Sequence, residues 1–379
     1  MTFKPLNEND VVNTRTLLHE AIPLTGSIVS GSYVTAGAAD NLKVYSHGMF
    51  QTVYDYPYLS SSANHVFDVT CGVSSQSGLA IVGTGMERKK NNIYGQMAQL
   101  LMGYDVTGSV QLFDEDGDLL AVGEKMKEIF VMPFSRLLVK DEIKKQTFSM
   151  NLDISEFGGS STDPNWGQGF APADLITITD LNASTEYRVN SPAGDYGILY
   201  ATASAPNVLD VNETNHIYAV DDGAGGTNNY WRCGLIFYQA GIAVITGSVF
   251  DSLLVGNPLA DFYDGDSLAT SLTDSTIDTL GKGLLHRIEN IQFNNTTELN
   301  STVYFCRVNH NEFNYSSNPT YLEDSRIRVK TQSTDEPVSY ITTVGLYNDR
   351  NELLATAKLS ESLKKSPSTE FTIRTRLDY

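Results

Sequence analysis

Short alternating runs of apolar and polar residues recur along most of this chain. Between Val12 and Leu18, residues at every second position are apolar or β-branched and their neighbours are mostly polar, which is typical of a half-buried strand. The other strand candidates are "GSIVSGSYV", "HVFDVTCGV", "DLITITDL", "YGILYATAS", "NHIYAVDD", "STVYFCRVNH", "SRIRVKT", "SYITTVGLYN", "ELLATAKLS" and "EFTIRTRLDY". They predict a mainly β, mixed fold with few helices, in which the last strand pairs into a sheet.

One segment has the periodicity of an α-helix. In "ERKKNNIYGQMAQLLMGY", apolar residues recur at i, i+4, i+7, i+8 and i+11 between Ile93 and Tyr104, along one helical face. Gly103 follows as a candidate C-terminal cap. We predict a helix near residues 87–103 whose apolar face packs in the core.

The longest uncharged stretch, Gly234 to Phe250, reads "GLIFYQAGIAVITGSVF". A membrane-spanning helix needs about 20 predominantly apolar residues, whereas this stretch is rich in β-branched residues and interrupted by glycines. It therefore predicts two buried strands that turn near Ala240–Gly241, and no membrane span.

Five consecutive acidic or glycine residues, Asp114 to Asp118, lie between apolar stretches in "VQLFDEDGDLLAVG". A calcium-binding EF-hand loop needs acidic groups at positions 1, 3 and 5, glycine at 6 and glutamate at 12. With Gly117 at position 6, position 1 is Leu112 and position 12 is Gly123. The EF-hand template fails at both ends.

A segment of similar sequence occurs near the end of the chain. "VQLFDEDGDLLAVGEK" aligns without a gap on "VGLYNDRNELLATAK", where Asp116 falls on an arginine and Gly117 falls on Asn351. Glycine and asparagine are residues that tolerate a positive φ, so the copies share turn chemistry. We predict two hairpin tips, from duplication or from convergence, and no metal at Asp114, Asp116 and Asp118.

Composition divides the chain into three parts. The Gly- and Ser-rich stretch Gly158–Pro172 reads as a long surface loop, and residues 156–285 contain 16 acidic and three basic residues. We predict a strand-rich part over 1–155, an acidic all-β insertion domain over 156–285, and a β part over 286–379. The last part is expected to pack with 1–155, which gives a sheet- and hairpin-rich discontinuous core.

Charge and cysteine usage exclude several classes of protein. The net charge of −19 argues against nucleic acid as a partner, because binding phosphates needs a surplus of basic residues. Cys71, Cys233 and Cys306 are far apart and form no C-x-x-C pair, which indicates reduced thiols and neither a disulfide framework nor a zinc site. Residues 1–26 lack the pattern of a signal peptide.

No catalytic motif stands out. The histidines have no metal-ligand spacing: His19, His47, His65, His216, His286 and His310. Ser362–Lys365 formally matches S-x-x-K, but its companion motifs are missing, and there is no nucleophile elbow or P-loop. Glycosidase carboxylates follow no local spacing, so none can be assigned. We expect no enzyme activity, no cofactor and no metal.

Five segments carry a resemblance to a known group of proteins. They are "FKPLNENDVVNTRTLLHEAIPLTGSIVSGSY", "YSHGMFQTVYDYPYLSSSANHVFDVT", "NIYGQMAQLLMGYDVTGSVQLFDEDGDL", "FSRLLVKDEIKKQTFSMNL" and "NEFNYSSNPTYLEDSRIRV…YITTVGLYNDRNELLATAKLS". They resemble virion structural proteins of contractile-tailed, T4-like bacteriophages, particularly marine ones. The resemblance covers most of 1–155 and 286–379, matches the acidic middle less clearly, and carries no catalytic residue.

The resemblance implies a structural subunit of a contractile tail, with a baseplate wedge or adjoining connector as first choice. Its partners would be other tail or baseplate proteins and copies of itself, with no nucleic acid and no membrane. Its location would be the virion, assembled in the host cytoplasm. The segment Phe313–Asp324, "FNYSSNPTYLED", fits either contact with neighbours or packing within the subunit.

Other functions remain open at this point. Within the same class, the chain could be a neck or sheath-end protein or a fibre-attachment adaptor. From another class, the acidic segment 156–285 could be a carbohydrate-binding module that recognises the host. A cell-wall or polysaccharide hydrolase is the third hypothesis.

Overall fold

The structure is a computed structural model that describes most of the chain. The described residues are 3–24, 41–79, 85–114, 125–154, 175–203, 217–221, 227–250, 262, 268–316, 322–323, 326–327, 334 and 336–379. The protein is mostly β, with 49% strand and 17% helix, and it contains a large antiparallel sheet, which confirms the predicted fold class.

The strands in the described residues are β1 Val11–Leu24, β2 Leu42–Val44, β3 Gln51–Tyr54, β4 His65–Val73, β5 Glu128–Pro133, β6 Glu142–Ile143, β7 Ser149–Asp153, β8 Leu175–Thr179, β9 Tyr187–Ser191, β10 Gly194–Ala203, β11 Ile217–Asp221, β12 Thr227–Phe237, β13 Ile242–Thr246, β14 Ile288–Val308, β15 Leu322–Glu323, β16 Arg326–Ile327, β17 Ser339–Tyr347, β18 Leu353–Lys365 and β19 Phe371–Asp378. The helices are α1 Gly85–Leu101, α2 Arg136–Val139, α3 Leu268–Asp274 and α4 Ile277–Arg287. Short 3-10 turns span Glu8–Asp10 and Gly247–Phe250.

The chain divides into two compact units. Unit 1 comprises Met1–Leu18 and Glu298–Tyr379, and unit 2 comprises His19–Thr297. Both divisions fall inside strands, since β1 and β14 extend past them. The units therefore do not follow the predicted boundaries at residues 155 and 285.

Unit 2 is organised around the antiparallel order β14-β7-β8-β10-β12-β13-β5-β4-β3-β2. The described strands of 156–285 lie in the middle of this sheet: β8 pairs with β7, and β13 pairs with β5. The same segment contains α3 and α4, which the sequence analysis did not predict. Its strands share backbone hydrogen bonds with those of 1–155.

Both faces of the central strands are buried. Phe130 and Met132 of β5 belong to one apolar cluster, whereas their neighbours Ile129 and Val131 belong to the other. A strand covered on both faces reads as a continuous apolar run, which explains the uncharged stretch Gly234–Phe250. Its predicted hairpin is confirmed, since β12 and β13 pair antiparallel from Gly234↔Ile245 to Phe237↔Ile242.

Helix α1 packs on β4 at a glycine. A Cβ on Gly72 would lie only 2.9 Å from the backbone nitrogen of Tyr94, so the close approach of helix and strand requires glycine at this position. Ile93 and Leu101 are buried as predicted, but Leu100 is 59% exposed, so the buried face is narrower than expected. Gly103 adopts φ +84° and its N–H donates to the carbonyl of Ala98, which confirms the predicted cap.

Some predicted features lie outside the described residues. They are the strand candidate "GSIVSGSYV", the loop Gly158–Pro172, and the tip of the acidic segment at 115–124. On either side of that tip, Asp114 and Lys125 form an antiparallel bridge, and the N–H of Met126 donates to the carbonyl of Phe113. The described residues on the two sides of the predicted tip therefore run antiparallel to each other.

Candidate interaction surface

Unit 1 consists of narrow sheets. The C-terminal half of β14 pairs with β19, from Ser301↔Asp378 to Val308↔Phe371, so the final strand joins a sheet as predicted. β17 and β18 form a separate hairpin, from Ser339↔Lys365 to Tyr347↔Leu353. Two-stranded pairs of this kind bury few apolar side chains by themselves.

The tip of the β17–β18 hairpin follows the turn chemistry predicted from the sequence. Asn351 adopts φ +61°, as expected for the residue aligned with Gly117. The side-chain oxygen of Asn348 accepts hydrogen bonds from the backbone N–H groups of Arg350 at 3.0 Å and Glu352 at 2.8 Å. The hairpin at this copy of the repeated segment is confirmed.

A buried lysine holds the base of the hairpin. Lys365 is fully buried, and its ammonium donates to the carbonyls of Ser366 at 2.7 Å and His310 at 3.0 Å. It also donates to the side-chain oxygen of Asn314 at 2.7 Å. Burial lowers the pKa of Lys365. One side chain therefore links the end of β18, the turn after it and the segment that follows β14.

Ion pairs hold the N-terminal residues within unit 1. Lys4 contacts Glu312 at 2.5 Å, and the guanidinium of Arg307 contacts Asp10 at 2.5 Å. The hydrogen bond from Arg307 lowers the pKa of Asp10, and the hydrogen bond from Lys4 lowers the pKa of Glu312. Because these ion pairs are partly exposed, they add little to the free energy of unfolding and mainly hold the N-terminal residues in place.

The described surface of unit 1 is rich in exposed apolar and aromatic side chains. Val303 and Val308 are the buried hydrophobic residues of its described part. The exposed large hydrophobic residues are Phe3, Leu6, Val12, Leu17, Leu18, Phe313, Tyr315, Tyr340, Tyr347, Leu353, Leu354, Leu363, Leu377 and Tyr379. Large exposed apolar groups are a common feature of protein–protein contact surfaces, so this set is a candidate interaction surface.

Charge is unevenly divided between the units. Unit 1 contains 12 basic and 13 acidic residues, whereas unit 2 contains 14 basic and 32 acidic residues. Unit 1 is therefore nearly neutral, and almost all of the −19 net charge belongs to unit 2. A neutral, apolar unit suits protein contacts, and an acidic one repels polyanions and copies of itself.

The carboxylate segment does not expose Asp114 to solvent. Asp114 is fully buried and forms an ion pair with Lys125, while Asp116 and Asp118 lie outside the described residues. Throughout the described part of the chain, no group of three or more His, Cys, Asp or Glu side chains could hold a metal. Asp114 therefore belongs to a buried ion pair with Lys125, the residue with which it also forms an antiparallel bridge.

The other candidate residues have ordinary structural surroundings. Cys71 and Cys233 are buried, Cys306 is half-buried, and none of these three described residues is in a disulfide. His65 contacts Asp68 at 3.2 Å, His310 contacts Glu370 at 2.9 Å, and burial lowers the pKa of His286 to about 4.

The two ends of the Ser362–Lys365 motif are not equivalent. Ser362 is exposed, whereas Lys365 is buried and bonded to backbone and amide oxygens. In Phe313–Asp324, Phe313 and Tyr315 are exposed, which favours the contact interpretation for these two aromatic residues. Tyr321 lies outside the described residues.

Several charged groups are buried in unit 2, and the burial of Arg287 and Asp180 was not predicted from the sequence. Arg287 is fully buried, donates to the carbonyls of Asp153 and Phe262 at 3.2 Å each, and lies over the rings of Phe250 and Phe262. Asp180 accepts hydrogen bonds from the N–H groups of Gln146 and Phe148. Nothing in their local sequence distinguishes them from surface charges.

Asp180 makes a pH-dependent contribution to stability. Burial raises its pKa from 3.8 to about 7, so the folded protein holds this proton more tightly than the unfolded chain does. The contribution of Asp180 to stability is therefore fully present below the unfolded pKa and is lost as pH rises towards 7, by at most about 1.4 kcal/mol per pH unit. We expect Asp180→Asn to remove this slope from the free energy of unfolding.

Urea titrations of wild-type protein and Asp180→Asn between about pH 4 and about pH 8 measure that slope. Because both proteins share every other acidic group, the difference between the two curves isolates Asp180. Parallel curves across this range would contradict the assignment.

Comparisons with known proteins found no match. No family model, curated protein or solved structure matches the chain. Among the described residues, no helix has the length and apolar character needed to cross a membrane.

Proposed function

We propose that this protein is a structural subunit of a contractile phage tail, in the baseplate wedge or an adjoining connector, and acts through protein–protein interfaces. Its partners would be other tail proteins and copies of itself, and its location the virion after assembly in the host cytoplasm. The resemblance of segments in 1–155 and 286–379 to virion structural proteins supports this proposal.

The single observation that carries the proposal is the apolar surface of unit 1. Apolar side chains exposed on narrow sheets remain in contact with water unless a neighbouring protein covers them. Tyrosines are frequent at such contacts because their rings are apolar and their hydroxyls form hydrogen bonds, and Tyr315, Tyr340, Tyr347 and Tyr379 are all exposed here. An assembly subunit requires surfaces of this kind.

The charge distribution supports the same proposal. The acidic unit 2 disfavours contact with packaged DNA and limits nonspecific association. Specific contacts would then fall to the nearly neutral unit 1. This division suits a protein whose role is to join chosen neighbours.

Deletion of the gene from the phage that encodes this chain tests the proposal. We expect non-infectious particles that lack complete tails, and we expect supply of the protein in trans to restore infectivity. As a matched control, Thr356→Ser on the same hairpin should support assembly fully. Normal tails and a normal yield of infectious particles from the deletion strain would contradict the proposal.

A further inference from the structure

The outer edge of β17 is open in the described part of the structure. β17 pairs with β18 along one edge, with register shifts between Ile341 and Thr343 and between Leu346 and Tyr347, and no described strand pairs with its other edge. In an antiparallel pair, alternate residues direct their N–H and C=O groups away from the partner strand. The outer edge of β17 thus offers a row of backbone donors and acceptors.

β17 lacks the charges that normally protect such an edge. Its sequence "SYITTVGLY" contains no charged residue and no proline, and Tyr340, Thr342 and Thr343 are exposed. Lysine, other charges or proline usually block the pairing of open edges with other chains. The neighbouring strands do carry such charges: Lys358, Glu361 and Lys364 in β18, and Arg374 and Arg376 in β19. Among the described strands of unit 1, β17 is therefore an edge without such protection.

We propose that β17 pairs antiparallel with β17 of a second copy of this chain, about a two-fold axis at Thr343. The result is a four-stranded sheet in the order β18-β17-β17-β18. This inference rests on the proposed function only for its biological role. It deepens that function by naming a second copy of the chain as the protein that covers one part of the unit 1 surface.

A second copy fits this edge because β17 is self-complementary. Pairing about Thr343 places Tyr340 opposite Leu346 of the partner subunit and Thr342 opposite Val344 of the partner subunit. Aromatic–aliphatic and β-branched cross-strand pairs stabilise sheets, and no like charges face each other. The same operation on β19 about Thr375 would place Arg374 opposite Arg376 of the partner subunit, which is unfavourable.

The net charges of the two units favour self-association of two copies through β17 of unit 1. Two copies that meet through unit 1 bring together nearly neutral surfaces, whereas contact through unit 2 would oppose two strongly acidic ones. A two-fold, isologous interface is the commonest form of self-association.

Opposite charges placed at the two-fold position test the proposal. Thr343→Lys and Thr343→Glu each place two like charges opposite one another, so each variant alone should dimerise at least about tenfold more weakly than wild type. An equimolar mixture should regain association, because lysine then faces glutamate. Sedimentation velocity of the full chain at micromolar concentration measures all three samples.

The controls separate this interface from the fold of the hairpin. Thr343 lies opposite Lys358 within its own hairpin, so only Thr343→Lys adds a repulsion there, and rescue by mixing cannot arise within one chain. Thr356→Lys, on the far strand of the same hairpin, should dimerise like wild type. A monomeric wild type, or single variants that dimerise like wild type, would overturn the proposal without touching the proposed role in the tail.

Discussion

Replacing Arg287 with alanine is expected to lower the free energy of unfolding by about 3 to 5 kcal/mol. Arg287 is fully buried at the end of α4, with its guanidinium against the rings of Phe250 and Phe262 and hydrogen bonds to the carbonyls of Asp153 and Phe262. Truncation leaves a cavity and removes donors from buried carbonyls, and both effects destabilise.

Urea denaturation of the full chain measures this change, and Arg88 provides the control. Arg88 is an exposed arginine on α1 of the same unit, so Arg88→Ala should change the free energy of unfolding by less than about 0.5 kcal/mol. Equal effects of the two substitutions would show that Arg287 does not hold the core together.

Replacing Lys365 with methionine is expected to destabilise the base of the β17–β18 hairpin by about 2 to 4 kcal/mol. Methionine keeps most of the apolar volume but leaves the carbonyls of His310 and Ser366 and the amide oxygen of Asn314 without the ammonium donor. Lys364 is adjacent but exposed, so Lys364→Met is a matched control with little expected effect.

Amide hydrogen exchange measures which part of the chain the Lys365→Met substitution destabilises. In Lys365→Met, amides at both ends of the hairpin base, near Ser339 and Lys365, should exchange at least about tenfold faster, because each 1.4 kcal/mol changes the opening equilibrium tenfold. The amides of β12 and β13 in unit 2 should not change. Unaltered exchange at the hairpin base would contradict the role assigned to Lys365.

Local chemistry was enough to predict several parts of the fold. Alternation located β1, short strand-like runs located β4 and β8, and the apolar run at 234–250 predicted the β12–β13 hairpin. The tip at Asn351 was predictable because a positive φ favours only a few residue types. In each case the signal lies within about ten residues, the distance over which periodicity and turn chemistry act.

Long-range pairing and burial could not be predicted in this way. The pairing of β13 with β5 joins segments more than a hundred residues apart, and no local pattern encodes it. Helix α4 was missed because Gly281 and Gly283 interrupt a segment whose apolar face is clear only once its packing is known. Lys364 and Lys365 look identical in sequence, yet one is exposed and the other buried.

The same limit applies to the candidate interaction surface. The sequence analysis gave two interpretations for the aromatic residues after Phe313, and the exposure of Tyr315 now favours contact with neighbours. It could not identify β17 as an open edge, because that depends on which strands pair with it.

Locating the chain in a reconstruction of the intact virion tests the central claim most directly. We predict several symmetry-related copies in the tail, at the baseplate or its connector, with the apolar surface of unit 1 covered by neighbouring subunits. A position at the neck or at a fibre attachment would retain the structural role but contradict the baseplate assignment. Absence of the chain from purified virions, or a unit 1 surface left open to solvent in every copy, would contradict the claim itself.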